Sequence, residues 1–132
     1  MPMMARFLSA EWVADLDRAA RTSAPLAAAT ADLDLVIEQV VTGGPDGDVA
    51  FHLVLRGGEA RAVAGRADAP TITFTQPWAV ARAVARGEES AQGSFMSGDL
   101  RVGGDVAALI AHQGALTGLD DVFADVRAAT EW

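Results

Sequence analysis

The strongest constraint on the fold is an alternation between residues 49 and 56. Val49, Phe51, Leu53 and Leu55 take turns with Ala50, His52, Val54 and Arg56. Apolar residues at every second position mark a strand with one buried face. Turn signals bracket it: Gly43-Gly44-Pro45-Asp46-Gly47 before, and Gly57-Gly58 after. The stretch therefore reads as the middle of an antiparallel meander. The incoming strand, Leu33 to Val41, puts Leu33, Leu35, Ile37 and Val41 on one face, with Gln39 the exception. Its other face carries Asp34, Val36, Glu38 and Val40. Glu59 to Gly65 returns as a third strand. After Asp68-Ala69-Pro70, Thr71 to Thr75 forms a fourth, with Ile72 and Phe74 on one face.

The period then changes. Pro77 suits a first helical turn, and Trp78, Ala81, Val84 and Ala85 share a face, with Arg82 and Arg86 on another and Gly87 at the stop. A short helical turn over Ala91 to Met96 leads to a last strand, Asp99 to Val102. Asp105 caps a helix running to about Gln113. A final helix is expected from about Leu119, within a C-terminal segment 119–132. At the other end, Ser9 caps a helix reaching about Arg21 within an N-terminal helical segment, 1–25; Trp12, Leu16, Ala19 and Ala20 form its apolar stripe. Leu26 to Ala31 is a short helix or loop. The strands come mostly before the helices and connect as hairpins. The expected fold is α+β: a mostly antiparallel sheet of five strands with helices covering one face, in one domain over 1–132.

Composition removes several function classes. The net charge is −8, which opposes binding to nucleic acid and to anionic membranes. No cysteine is present, so disulfides and thiolate chemistry are excluded. All 10 basic residues are arginine. Without lysine there is no P-loop lysine, pyridoxal Schiff base or Ser–Lys pair. No apolar run approaches the roughly 18 residues that span a bilayer. The opening MPMMARFLSAEW lacks the apolar core of a secretory signal, so a cytoplasmic protein is expected.

Catalytic signals are sparse. His52 sits mid-strand and His112 near a helix end, in no metal-ligand spacing. Ser9, Ser23, Ser90, Ser94 and Ser97 form no G-x-S-x-G elbow. Gly103-Gly104-Asp105 precedes a helix without a phosphate-binding pattern, and a carboxylate there serves as a cap. No catalytic residue, metal or cofactor is expected. The apolar residues taken one by one read as ordinary core.

Three stretches together resemble a known family. They are the acidic, apolar strand leading into Val49–Leu55, the phrase Pro70–Thr75 followed by Trp78–Gly87, and Ser94-Phe95-Met96-Ser97-Gly98-Asp99-Leu100-Arg101-Val102-Gly103-Gly104-Asp105. The last is the most specific, close to F-x-x-G-x-[LI]-[KR]-[VI]-x-G-[DN]. The chain resembles the SCP2-type (sterol carrier protein 2) lipid-binding domains over about Leu26 to Gln113. The resemblance implies a five-stranded sheet with helices on one face and an apolar tunnel between them. It implies non-enzymatic binding of a fatty acyl chain, acyl-CoA, sterol or phospholipid. Combined with inward-facing parity, it implies a lining of Phe51, Leu53, Phe74, Trp78, Phe95, Met96, Leu100, Ile110 and Phe123. Peroxisomal members end in a targeting tripeptide; this chain ends Thr130-Glu131-Trp132, which does not imply that destination. Two alternatives stand beside lipid binding. One is a filled-core interaction domain, a homodimer through an exposed apolar helix face. The other is an accessory enzyme using His52 or His112 as acid–base.

Overall fold

The computed structural model describes residues 5–45, 47–88, 93, 96–111, 126–127 and 130–131. A short strand, β1 (Ala5–Arg6), precedes helix α1 (Ala10–Thr22). Ser9 caps α1 by accepting the Trp12 N–H at 3.2 Å, as the sequence led us to expect. Ser23 closes α1 and caps α2 (Ala24–Ala29) through the Leu26 N–H, so α2 begins before the Leu26 start read from the sequence. The sheet strands follow: β2 (Asp34–Gly44), β3 (Gly47–Arg56), β4 (Glu59–Ala64) and β5 (Ile72–Pro77). Helix α3 (Trp78–Ala85), β6 (Arg101–Gly104), α4 (Val106–Ala111) and a two-residue β7 (Thr130–Glu131) complete the described elements.

The main sheet has five strands in the order β4-β3-β2-β5-β6. β2–β3, β3–β4 and β5–β6 are antiparallel, while β2–β5 is parallel. The sheet is thus mixed, with antiparallel pairs in the majority. The parallel pair exists because the chain leaves β4 at one edge and must pass β3 and β2 to reach β5. Residues 65–71 make that passage and lie across the sheet as a strap. Thr71 locks its end, its N–H donating to the Val36 carbonyl at 2.9 Å and its Oγ1 accepting the Val36 N–H at 3.1 Å.

The last sheet strand starts later than Asp99. Val102 pairs with Phe74 and Gly104 with Ile72, so pairing continues into the double glycine. Gly104 has φ +86°, and a Cβ there would run into the Thr71 carbonyl oxygen. Asp105 then accepts the Ala108 N–H at 3.1 Å, the cap expected for α4.

Helices cover one face. α1 lies against β4, and α3 against β2 and β5. Between them and the sheet are Trp12, Leu16, Leu26, Ile37, Leu53, Leu55 and Ile72, all fully buried. Asp17 fastens α1 to the sheet edge. It accepts the Ala62 N–H at 2.9 Å and the Arg61 Nε–H at 2.8 Å, and pairs with Arg21 at 3.2 Å. An outward backbone N–H on an edge strand thereby finds an acceptor. Burial pushes the Asp17 carboxyl up, but the bonds from Arg61 and Ala62 and the nearby guanidiniums outweigh it and hold it below the usual range.

The C-terminal segment was expected to be helical. Most of it lies outside the described residues. Val126 and Arg127 are helical, whereas Thr130 and Glu131 pair in parallel with Ala5 and Arg6 as a second, two-stranded sheet. Thr130 is buried there, and its hydroxyl donates to the Val126 carbonyl at 2.6 Å.

Candidate functional site

The strand registers align a row of side chains on the helix-covered face. Phe51 lies opposite Gln39, Gln39 opposite Phe74, and Phe74 opposite Val102. The next row, Leu53, Ile37 and Ile72, is fully buried. The row on the other side holds Val49, Val41 and Gln76. Burial is uneven along these rows: Phe51, Val41 and Gln76 are buried, whereas Gln39, Val49, Phe74 and Val102 are only partly buried beside the closed core.

Gln39 broke the apolar pattern of β2 in the sequence, and the structure gives the reason. Gln76 donates its Nε2–H to the Gln39 Oε1 at 2.9 Å. The pair makes one polar spot in an apolar wall. Each amide keeps further hydrogen-bonding capacity, because a primary amide has two N–H donors and an acceptor oxygen. Apolar walls with few placed polar groups are the usual chemistry of small-molecule sites.

An aromatic chain borders the wall. Trp78 meets Phe7 at 5.2 Å between ring centroids, Phe7 meets Trp12 at 5.2 Å, and Trp12 meets Phe51 at 5.5 Å. The last two contacts are edge-to-face, the arrangement that ring quadrupoles favour. Trp78 starts α3 directly after β5, which fixes it beside Gly44 of β2.

The sequence-expected lining residues fall into three groups. Phe51, Leu53 and Leu100 are buried, and Phe74 and Trp78 are half-buried against the core. Met96 and Ile110 stand exposed, at 79% and 64%. Phe95 and Phe123 lie outside the described residues, as does His112.

Arg82 was read from its spacing as lying off the apolar face of its helix. It is half-buried, and its Nε is shielded from solvent with no hydrogen-bond partner. An unpaired buried N–H costs about 1–3 kcal/mol, more when charged. The sequence offered one signal, its position four residues after Trp78, which places it on the same side of the helix.

A separate groove of about 300 Å³ lies on the opposite face of the sheet, lined by Val36, His52, Val54, Arg56 and the strap residues Arg66 to Ala69. His52 contacts the Gly65 carbonyl through Nδ1 at 2.9 Å. The carbonyl can only accept, so Nδ1 carries the proton. Beneath the strap, Glu38 is 1% exposed. It accepts the Ala67 N–H at 2.9 Å and an Arg66 N–H at 3.1 Å. Burial raises the Glu38 carboxyl, yet the hydrogen bonds from Arg66, Ala67 and Thr73 and the Arg66 charge hold it below its ordinary range. Among the described residues, no three or more His, Cys, Asp or Glu side chains gather as a metal site. No described helix is long and apolar enough to cross a membrane.

Comparison with known proteins agrees with this architecture. The model of the SCP-2 sterol transfer family matches residues 16–117. Among solved structures, the chain is similar to a possible sterol carrier protein from Thermus thermophilus, at 22% identity. That match covers 99% of this chain and 97% of the other, with a TM-score of 0.76. It is similar to a sterol carrier protein 2 at 23% identity, covering 95% and 100% of the two chains, with a TM-score of 0.76. The apo sterol carrier protein 2 of Yarrowia lipolytica is 18% identical over 81% and 88%, with a TM-score of 0.64. No curated protein matches the chain. The structural likenesses carry the fold, and the match over most of the sequence carries the family: the chain belongs to the SCP-2 sterol transfer family.

Proposed function

We propose that this protein binds a long apolar molecule without catalysing a reaction on it. The ligand class is a fatty acyl chain, acyl-CoA, sterol or phospholipid. The observation that carries the reading is the row Phe51–Gln39–Phe74–Val102, a mainly apolar wall with one amide pair, in which Gln39, Phe74 and Val102 are only partly buried beside a closed core. Family membership supports it. Transfer of hydrocarbon from water supplies the driving force, about 0.8 kcal/mol per buried CH₂. We read 1–132 as one lipid-binding unit working in the cytoplasm, whether it hands the ligand on or only holds it. Phe51, Leu53, Phe74, Trp78 and Leu100 form the wall in this proposal. Met96 and Ile110 are apolar side chains that the ligand covers.

Native mass spectrometry of the purified protein, followed by organic extraction, tests this reading. A defined added mass that extracts as a lipid is expected. A bare chain that also takes up no acyl probe would overturn it. The exposure of Val106 and Ile110, on one short helix, favours a second reading, an interaction domain that dimerises through an exposed apolar helix face. That reading expects a dimer mass and no lipid in the same spectrum.

A further inference from the structure

Seven of the arginines have a partner that explains them. Arg18, Arg21, Arg56, Arg61, Arg66 and Arg86 each reach a carboxylate. Arg127 donates to the Ala85 carbonyl. Arg6 and Arg101 are exposed, where water serves. Arg82 is half-buried, and its Nε has neither solution. Its Nε–H is buried without an acceptor, the one side-chain nitrogen or oxygen in that state among the described residues. The chain has 18 carboxylates, and Arg82 pairs with none among the described residues.

A guanidinium cannot escape by losing its proton. Buried donors of native proteins are nearly always satisfied, and an exception points to a group missing from the picture. Two features say which group. The first is place: Arg82 lies one turn beyond Trp78 on α3, the helix packed over β2 and β5. The paired amides of Gln39 and Gln76 on those strands carry no charge and cannot neutralise an anion. The second is the identity of the buried atom. Nε–H and the adjacent Nη–H form the side of the fork that grips a carboxylate with two parallel bonds.

The geometry points to Arg82 as the group that holds the anionic head of the ligand, making the preferred ligand a long-chain carboxylate and not the uncharged alcohol. This rests on the lipid-binding reading above. Arg82 is then a specificity residue: it satisfies its own buried N–H only when the acid is bound. The apolar wall takes the chain of either molecule, and the arginine discriminates between the heads.

The test is calorimetric titration of the full chain with a twelve-carbon carboxylate and with the twelve-carbon alcohol. The wild type should bind the acid about 10- to 100-fold more tightly, the range of one charge-assisted hydrogen bond. Arg82→Gln should bring the acid down to the level of the alcohol and leave the alcohol unchanged. Arg82→Lys should keep part of the preference, because it keeps the charge and loses the fork. A purely structural arginine would shift thermal stability and leave the acid-to-alcohol ratio alone. The inference is overturned if Arg82→Gln binds the acid as the wild type does. It is equally overturned if the wild type binds both probes alike, a result that needs no variant to fold and leaves lipid binding intact. A wild type that binds neither probe also overturns this inference, while the lipid extracted from the purified protein decides lipid binding separately.

Discussion

The indole N–H of Trp12 donates to the hydroxyl of Thr130 at 3.0 Å, joining residues 118 apart in sequence. Both are fully buried. Trp12 reaches the aromatic chain through Phe7 and Phe51, and the Thr130 hydroxyl donates a hydrogen bond to the Val126 carbonyl. The bond therefore ties the short β1–β7 sheet to the main core. Thr130→Val keeps the shape and strands the indole N–H, and should cost about 1–3 kcal/mol in chemical denaturation. In a Trp12→Phe background the same change should cost less, because the stranded donor is gone. Equal costs in both backgrounds would show that the bond contributes nothing.

Glu38 makes stability depend on pH. Its folded carboxyl titrates below the ordinary glutamate value of 4.5. The unfolded chain therefore takes up the proton first, and the stabilisation is present above pH 4.5 and lost as pH falls through the folded value. Glu38→Gln should cost about 1–3 kcal/mol at pH 7, since it removes charge-assisted bonds to Arg66 and Ala67. The gap between wild type and variant should close on acidification below 4.5. Urea titrations at several pH values measure it, and a gap independent of pH would refute the assignment. Asp17, also held low, contributes in the same direction from its ordinary value of 3.8.

Phe74 and Ile110 separate the wall from its surroundings. Phe74 is half-buried in register with Gln39 and Val102. Phe74→Ala should cost about 1–3 kcal/mol of stability, less than a fully buried phenylalanine. It should also weaken acyl-probe binding by about tenfold, the equivalent of one to two methylenes. Ile110 is 64% exposed, so Ile110→Asp should leave stability within about 0.5 kcal/mol. On the proposed reading binding should nevertheless fall, because a charge would stand on the surface that the ligand is proposed to cover. Unchanged affinity in Ile110→Asp would remove Ile110 from the ligand-facing set.

The double glycine before α4 divides into a required and a replaceable residue. Gly104 has positive φ and backs onto the Thr71 carbonyl, whereas a Cβ on Gly103 meets the Thr73 carbonyl oxygen only at 3.9 Å. Gly104→Ala should lower stability by about 2 kcal/mol or more, and Gly103→Ala by under about 1 kcal/mol. Thermal melts of the two variants give the comparison. Similar melting temperatures would mean that β6 can move away from β5 at no cost.

Most of the elements, and the faces of the strands, follow from local signals. Alternation around Phe51 and Leu53 made the strands legible, Ser9 and Asp105 marked two helix starts, and the phrase from Phe95 to Asp105 carried the family. These are local signals, and they survive because side-chain direction depends only on neighbours along the chain. The candidate site was legible in part, through the inward parity of Phe51, Leu53 and Phe74. The rest depends on contacts between distant segments. Nothing local told β5 to pair in parallel with β2, because both edges of a strand offer the same backbone groups. Glu38 sits on the polar face of β2 and is buried all the same, since the 65–71 strap returns across it. Gln39 broke a pattern until Gln76 arrived from another strand, and Arg82 stood off the apolar face of its helix until its Nε was shielded. Burial and hydrogen bonding of polar groups are set by which distant segments arrive beside them, and periodicity holds no record of that.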